Sequence, residues 1–491
     1  MRSSTDASAE VRDAAESIGS PRLGESLKAS AVRAAAWGAM SSIVLRLGSL
    51  VVGIVLARLL TPEAFGIYAV ALTVQGILMT VADLGLSSDL IRSKEPERIA
   101  PTIASIGLIS GGTLTVLAML TAPFLADVLG SPEASDAIAV LSLTLVLGSF
   151  SLVPYAMLMR RFQQRELFYV GAVDFTVSTV VTLTLVLCGF GVMALAIGRV
   201  VAQVVSSTLQ FVLAKVRPSF GFDRSRLRPV LAFGLPIAGA NLLAWGLGNV
   251  DNVILARLVG ATLLGFYVLA FNVSSWPMNA LAQSVRAIAM PYFSRADGAA
   301  SGLAVVAAIG WAAALPAGGA LAALSEPLIT VLYGTKWLAA APVLAALGTY
   351  GAFRVLFEVF NGFLYAQGKA RPVLWIQILW VVVLIASMVP ATLLYGIIGA
   401  GWVHAVVAGV VVLPAYLLAL RAAGASLAAI ARRSLWPTVS ALPAVAAAWW
   451  GAHVVDEPVI ALLVGAAASV GVWAATIWPW ARREWKALRS T

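Results

Sequence analysis

Cysteine occurs once in the 491 residues, at Cys188, and histidine twice, at His404 and His453. A disulfide framework and a Cys- or His-rich metal centre are therefore excluded. Charge is also scarce: charged residues make up 11% of the chain, where a soluble domain carries roughly 25%. Hydrophobic residues make up 60%, and the mean hydropathy is +0.92. So little polar surface cannot coat a soluble particle of this size. That excludes a soluble enzyme, a soluble nucleic-acid binder and a disordered chain. A glycine-rich phosphate loop ending in Gly-Lys-Ser or Gly-Lys-Thr is missing too, so direct ATP hydrolysis is not expected.

What the chain has instead is apolar length. A helix needs about 20 apolar residues to cross the hydrocarbon core. Runs of that kind predict fourteen spans, at 30–58, 63–88, 102–125, 136–158, 167–188, 191–214, 229–257, 262–288, 300–324, 338–366, 372–394, 396–420, 435–454 and 457–480. The divisions at Cys188–Gly191 and Tyr395–Gly396 are the narrowest. Residues 1–28 lack an apolar stretch and read as a cytoplasmic tail, not a signal peptide.

The formal net charge of +10 has a topological reading. With the N-terminus in the cytoplasm, alternate loops collect the basic residues, among them Arg160, Arg161 and Arg165, then Lys215 to Arg228, then Lys369 and Arg371. The opposite loops hold acids such as Asp127, Glu133, Asp456 and Glu457. By the positive-inside rule, both termini are cytoplasmic.

The chain also repeats itself. LARLLTPEAFGIYAVALTV (56–74) returns as LARLVGATLLGFYVLAFNV (255–273), with Arg58, Gly66 and Tyr68 matched 199 positions later. Weaker echoes pair Leu147-Gly148 with Leu347-Gly348, and Gly191 with Gly396. The unit is six spans, so the copies are parallel repeats about an axis along the membrane normal. The predicted fold is all-α, with two parallel six-helix lobes plus two C-terminal helices. Helices 1–6 (29–214) form an N-lobe, 215–228 a cytoplasmic linker, and helices 7–12 (229–420) a C-lobe. A cytoplasmic loop (421–434), helices 13–14 (435–480) and a tail (481–491) complete the chain. Such repeats rock about a midplane site in transporters.

Charges inside the spans are the candidate functional residues. A mid-membrane charge costs at least about 2.5–3.5 kcal/mol and normally faces a cavity or a partner. Arg46, Arg199 and Arg354 lie well inside their spans and are candidates for a cationic, substrate-binding cavity. Arg354 has Glu358 one turn on, in reach for an i,i+4 pair. Asp174, Asp251 and Glu358 are candidates for ion coupling or for pairing with these arginines. Arg58 and Arg257, at matched repeat positions, are long enough to snorkel to the interface. Trp245 and Trp276 sit deep and either pack in the core or contact a sugar or lipid. His404 has no convincing acid–base partner in the sequence, and no catalytic residue, metal or cofactor is predicted.

The stretch IVLARLLTPEAFGIYAVALTVQGILMTVADLGLSSDLIR (54–92) closely resembles the N-terminal signature of Wzx-type oligosaccharide flippases. These belong to the multidrug/oligosaccharidyl-lipid/polysaccharide exporter superfamily. FGLPIAGANLL (233–243), NVDNVILARLVGATLLGFYVLA (249–270), GTKWLAAAPVLAALG (334–348) and NGFLYAQGKARPVL (361–374) resemble that family as well. The resemblance implies a V-shaped transporter with a central cavity, often cationic, in the bacterial cytoplasmic membrane. It implies a polyprenyl-pyrophosphate-linked oligosaccharide as substrate, moved by alternating access, with a polysaccharide polymerase and export machinery as partners. The rivals are a drug/cation exporter or a peptidoglycan-precursor flippase of the same superfamily. A membrane polysaccharide polymerase, or an assembly scaffold, is the rival from another class.

Overall fold

A computed structural model describes residues 45–295 and 299–489. The expected N-terminal tail and most of the first apolar run lie outside the described residues. Among those residues every regular element is helical, as hydrocarbon demands, since only internally bonded backbone is tolerated there.

In chain order the helices are α1 (45–59), α2 (Pro62–Asp83), α3 (Leu86–Arg92), α4 (Pro96–Val128), α5 (Ser135–Phe150) and α6 (Leu152–Arg160). Next come α7 (Gln164–Leu187), α8 (Val192–Ala214), α9 (Arg224–Arg295), α10 (Ala299–Ala323) and α11 (Ser325–Tyr333). The last are α12 (Ala341–Ala366), α13 (Ala370–Val407), α14 (Leu413–Ala422), α15 (Leu427–Val454) and α16 (Pro458–Arg489). Two long runs are interrupted by a single glycine outside helical dihedrals, Gly260 in α9 (φ 78°, ψ 174°) and Gly396 in α13 (φ 59°, ψ −147°). Both φ values lie where a Cβ is unfavourable.

Eleven helical stretches among the described residues are long and apolar enough to cross a membrane. The count of fourteen is not confirmed among the described residues. The first run is described only from residue 45. The two runs meeting at Tyr395–Gly396 follow one another across the kink at Gly396 with no residue between them outside the helix, and so count together as Ala370–Ala422. Helix α15 is diluted by Pro437, Pro443, its tryptophans and His453.

The helices separate into two compact units. The first holds the described residues up to Gly53, with Gln75–Ala122 and Ile138–Trp245. The second holds Ile54–Val74, Pro123–Ala137 and everything from Gly246 on. In the first, Leu86, Leu90, Ile103, Leu152 and Met157 join α3, α4 and α6 in one apolar core. In the second, Met278, Ala314, Ala352 and Val355 join α9, α10 and α12, with Trp311 packed against them.

Basic side chains close helix ends. The last carbonyls of a helix have no intrahelical donor, and a cation there also meets the negative end of the dipole. Arg58 donates to Leu332 (2.9 Å) and to Val331 at the end of α11, and Arg257 donates to Asp127 (3.4 Å) at the end of α4. The two residues expected to snorkel therefore act as caps. Arg161 does the same for Ala214 (2.8 Å), Arg160 for Ile91 (2.7 Å) and Lys369 for Ala422 (2.9 Å). The end of α1 is tied down in turn: Lys336 Nζ donates to Arg58 O (2.8 Å) and Leu60 O (2.7 Å), and the buried Trp337 Nε1 donates to Ala57 O (2.8 Å).

Within the second unit the repeat becomes a contact. A Cβ added at Gly66 would strike the backbone oxygen of Ala261, and one at Gly265 would strike that of Pro62. Gly66 matches Gly265 and Pro62 matches Ala261 in the 199-residue repeat, so the contact is reciprocal. Small residues let helix backbones approach in this way inside a membrane. Neither obstruction is a flexible side chain. Replacing Gly66 or Gly265 by Val should lower the melting temperature in detergent by several degrees, as overpacking by about 1–3 kcal/mol implies. Gly53, whose Cβ would meet nothing within 4 Å, supplies the control, and Gly53→Ala should melt no lower than the wild type. Wild-type melting of both valine variants would refute the close approach.

Candidate functional site

The arginines singled out by depth divide between the units. In the first, Arg199 on α8 reaches Asp174 on α7 at 2.7 Å. Their side chains are 37% and 24% exposed, so the guanidinium keeps an open edge. Two of the predicted charges thus meet as an interhelical pair. Arg46 on α1 is exposed. Trp245 is half-buried and lies against Gly76, whose added Cβ would collide with the indole. This is a packing use of Trp245.

The second unit holds Arg354, Asp251, Glu358 and Trp276. Arg354 on α12 donates to Asn279 Oδ1 at 3.0 Å and lies 5.9 Å from the Tyr350 ring centroid. The i,i+4 ion pair of Arg354 with Glu358 does not form. Among the described residues, the contacts of the Arg354 guanidinium are thus a neutral amide and a π face. Trp276 is half-buried on α9.

Asp251 is 5% exposed and anchors a buried polar cluster. Asn252 N–H donates to its Oδ1 (2.9 Å), and Tyr267 Oη donates to its Oδ2 (2.8 Å). The same Tyr267 oxygen lies 3.0 Å from His404 Nε2. A hydroxyl has one proton to give, and the carboxylate takes it. His404 Nε2 must then carry a hydrogen and donate to Tyr267, which fixes the tautomer. His404 Nδ1 is buried without a hydrogen-bond partner. Tyr350 completes the surroundings, its ring 5.0 Å from that of His404.

Sorting the sequence by charge missed Tyr267, Asn279 and the buried glutamines of α8. Tyr267 carried a signal, because it is the repeat counterpart of Tyr68. Both oxygens of Asp251 are already engaged, and among the described residues no group of three acids, histidines or cysteines could hold a metal ion.

Long apolar helices, paired charges and small-residue helix contacts define a multi-pass membrane protein. Its fold is that of the solved lipid II flippase MurJ in an inward closed conformation, with a TM-score of 0.73 at 13% identity over 90% of this chain and 99% of that one. An inward-facing multidrug resistance MATE family transporter of the MOP superfamily is also similar, at TM-score 0.56 and 20% identity over 78% and 96%. Residues 55–342 match the polysaccharide biosynthesis protein family, and the chain belongs to it. This bears out the resemblance carried by residues 54–92.

Curated relatives agree. The lipopolysaccharide biosynthesis protein WzxC of Escherichia coli is 25% identical over 70% of this chain and 71% of its own length. The succinoglycan biosynthesis transport protein ExoT of Rhizobium meliloti is 26% identical over 65% and 66%. The teichuronic acid biosynthesis protein TuaB of Bacillus subtilis is 25% identical over 59% and 62%. The chain thus aligns with about two thirds of these relatives' lengths.

Two stability measurements probe these clusters. Removing one member of a half-buried ion pair strands the other, so Arg199→Ala and Asp174→Ala should each melt lower than the double variant. Additive losses would mean that the pair is not coupled. Tyr267→Phe leaves an acceptor on Asp251 and a donor on His404 unsatisfied, at about 1–3 kcal/mol each. Its melting temperature should fall clearly below that of a Tyr155→Phe control, and equal values would break the cluster assignment.

Proposed function

We propose that this protein is a flippase that carries a polyprenyl-pyrophosphate-linked oligosaccharide across the bacterial cytoplasmic membrane by alternating access of two six-helix repeats. The observation that carries the reading is the family match over residues 55–342 on the fold of a lipid II flippase. The named relatives build different surface polysaccharides, and one is named a transport protein. Their shared feature is therefore polysaccharide biosynthesis and not one particular sugar.

The chemistry of such a substrate divides into three parts. The polyprenyl chain is apolar and stays in lipid. The saccharide needs polar side chains. The pyrophosphate is anionic and suits guanidinium groups, which take phosphate oxygens two at a time. Arg46, Arg199 and Arg354 are the candidate phosphate ligands. Arg199 shares its charge with Asp174, whereas Arg354 is bonded to the neutral Asn279. Arg354 is accordingly the strongest of the three.

The driving force in this reading is an ion gradient or the membrane potential. Asp251 is the candidate coupling residue. Both of its oxygens already accept from N–H and O–H donors, which disfavours direct coordination of a metal ion there. Lipid-linked precursors and membrane lipids are the immediate partners, and a polymerase and export machinery would take up the product.

Arg354→Ala should reduce polymer export in a deletion strain by about tenfold or more, the scale of a lost charge-assisted contact, while the protein still inserts. Arg354→Lys should keep part of it, and Arg46→Ala and Arg199→Ala should lose less. The affected cells should accumulate lipid-linked saccharide in the inner leaflet. Full export by all three alanine variants would exclude the phosphate role, and normal outer-leaflet supply in the deletion strain would exclude the flippase.

A further inference from the structure

Helix α8 carries a buried polar stripe that neither the arginines nor the Asp251 cluster uses. Gln203, Ser206, Ser207 and Gln210 recur at the three- and four-residue spacing of one helix face. Both glutamines are 8% exposed and the serines less. Part of the stripe satisfies itself: Gln203 Nε2 donates to Ser207 Oγ (3.1 Å), and Ser207 Oγ donates to Leu147 O (3.3 Å). Gln210 Oε1 is buried and accepts nothing among the described residues. A buried acceptor without a donor calls for an explanation, and a ligand or solvent at that point supplies one.

The space for it is present. A cavity of about 230 Å³ in the first unit is lined by Gln203 and Gln210 of α8, Asp83 at the end of α2, Ser87 of α3 and Tyr155 of α6. Asp83 Oδ1 accepts from Ser87 Oγ (2.7 Å), and Tyr155 is exposed at the cavity. At about 30 Å³ per water, this is room for roughly seven waters, or for one sugar ring. Helix packing alone does not ask for these glutamines. The repeat copy, 205 positions on by the Gly191–Gly396 echo, has Ala408 and Ala415 in their places.

The lining chemistry is selective. Beside apolar groups such as Met79 and Leu152 it has amides, hydroxyls and one carboxylate, and no arginine or lysine among the described residues. Phosphate is therefore disfavoured. A sugar hydroxyl can donate to Gln210 Oε1 or to Asp83 and accept from an amide N–H, and a phenol ring offers an amphipathic flank for a pyranose. We propose that this cavity is a sugar-recognition subsite in which Gln203, Gln210 and Asp83 bind the hydroxyls of one ring of the lipid-linked saccharide. The proposal rests on the flippase reading and separates the place where sugar is read from the residues that hold pyrophosphate.

The test uses the full chain in lipid nanodiscs with two probes. One is undecaprenyl pyrophosphate, and the other is the lipid-linked saccharide fraction extracted from a strain deleted for this gene. The variants are the double substitution Gln203→Leu with Gln210→Met, and separately Asp83→Asn, which retains shape should the double variant fold poorly. The wild type should bind both probes, the saccharide-bearing one more tightly. Each variant should lose about tenfold affinity for the saccharide-bearing probe, as expected for a site built to pair hydroxyls, and less than about twofold for undecaprenyl pyrophosphate. Unchanged saccharide binding, or equal losses for both probes, would overturn the subsite while leaving the flippase reading intact. Failure of the wild type to bind either lipid would overturn the flippase reading itself.

Discussion

The constraint behind the whole structure is that hydrocarbon offers no hydrogen bonds. Each polar group that enters it must find a partner within the chain. The backbone answers by being helical among the described residues. It departs from helical geometry inside α9 and α13 only at single glycines. Helix ends pose the harder case, because their last carbonyls face outward along the axis with no donor. Arg58, Arg160, Arg161, Arg257 and Lys369 supply those donors from other helices. Basic residues thus complete the backbone at these helix ends.

The same constraint sorts charges that are structurally settled from those that are not. Arg199 and Asp174 neutralise one another across α7 and α8. Asp251 is held by two donors and reaches His404 through Tyr267. Arg354 is different: among the described residues it meets an amide and an aromatic face. A positive group kept in that state inside a membrane protein is costly unless an anion visits it. Those contacts, and not depth alone, are why Arg354 is the foremost candidate in the proposed phosphate role.

Much of the fold was legible in the sequence because hydrophobic length is a physical signal independent of tertiary context. The all-helical class followed from it, and the family from the resemblance carried by stretches such as residues 54–92. The repeat was legible as well, and Gly66 and Gly265 show why it is retained, since each occupies the only kind of position that lets the other's helix approach. Pairings were less accessible. Local spacing suggested Arg354 with Glu358, yet Asn279 lies 75 residues away in sequence and takes the hydrogen bond. Snorkelling was inferred for Arg58 because carbonyls more than 270 residues distant cannot be read from its neighbours. Attention to formal charge also passed over Gln203 and Gln210, whose helical spacing was visible but whose burial was not.

The tie between the end of α1 and residues 336–337 bears on how the chain matures. The hydrogen bond from Trp337 to Ala57 spans 280 residues. At about 5–20 residues per second, ribosomes need roughly a quarter of a minute to a minute to make the intervening chain. The first helix therefore enters the bilayer long before its terminal carbonyls can be completed. During biogenesis that end must be served by water, lipid headgroups or an insertion factor, and it is finished only when the thirty-fourth decade of residues emerges.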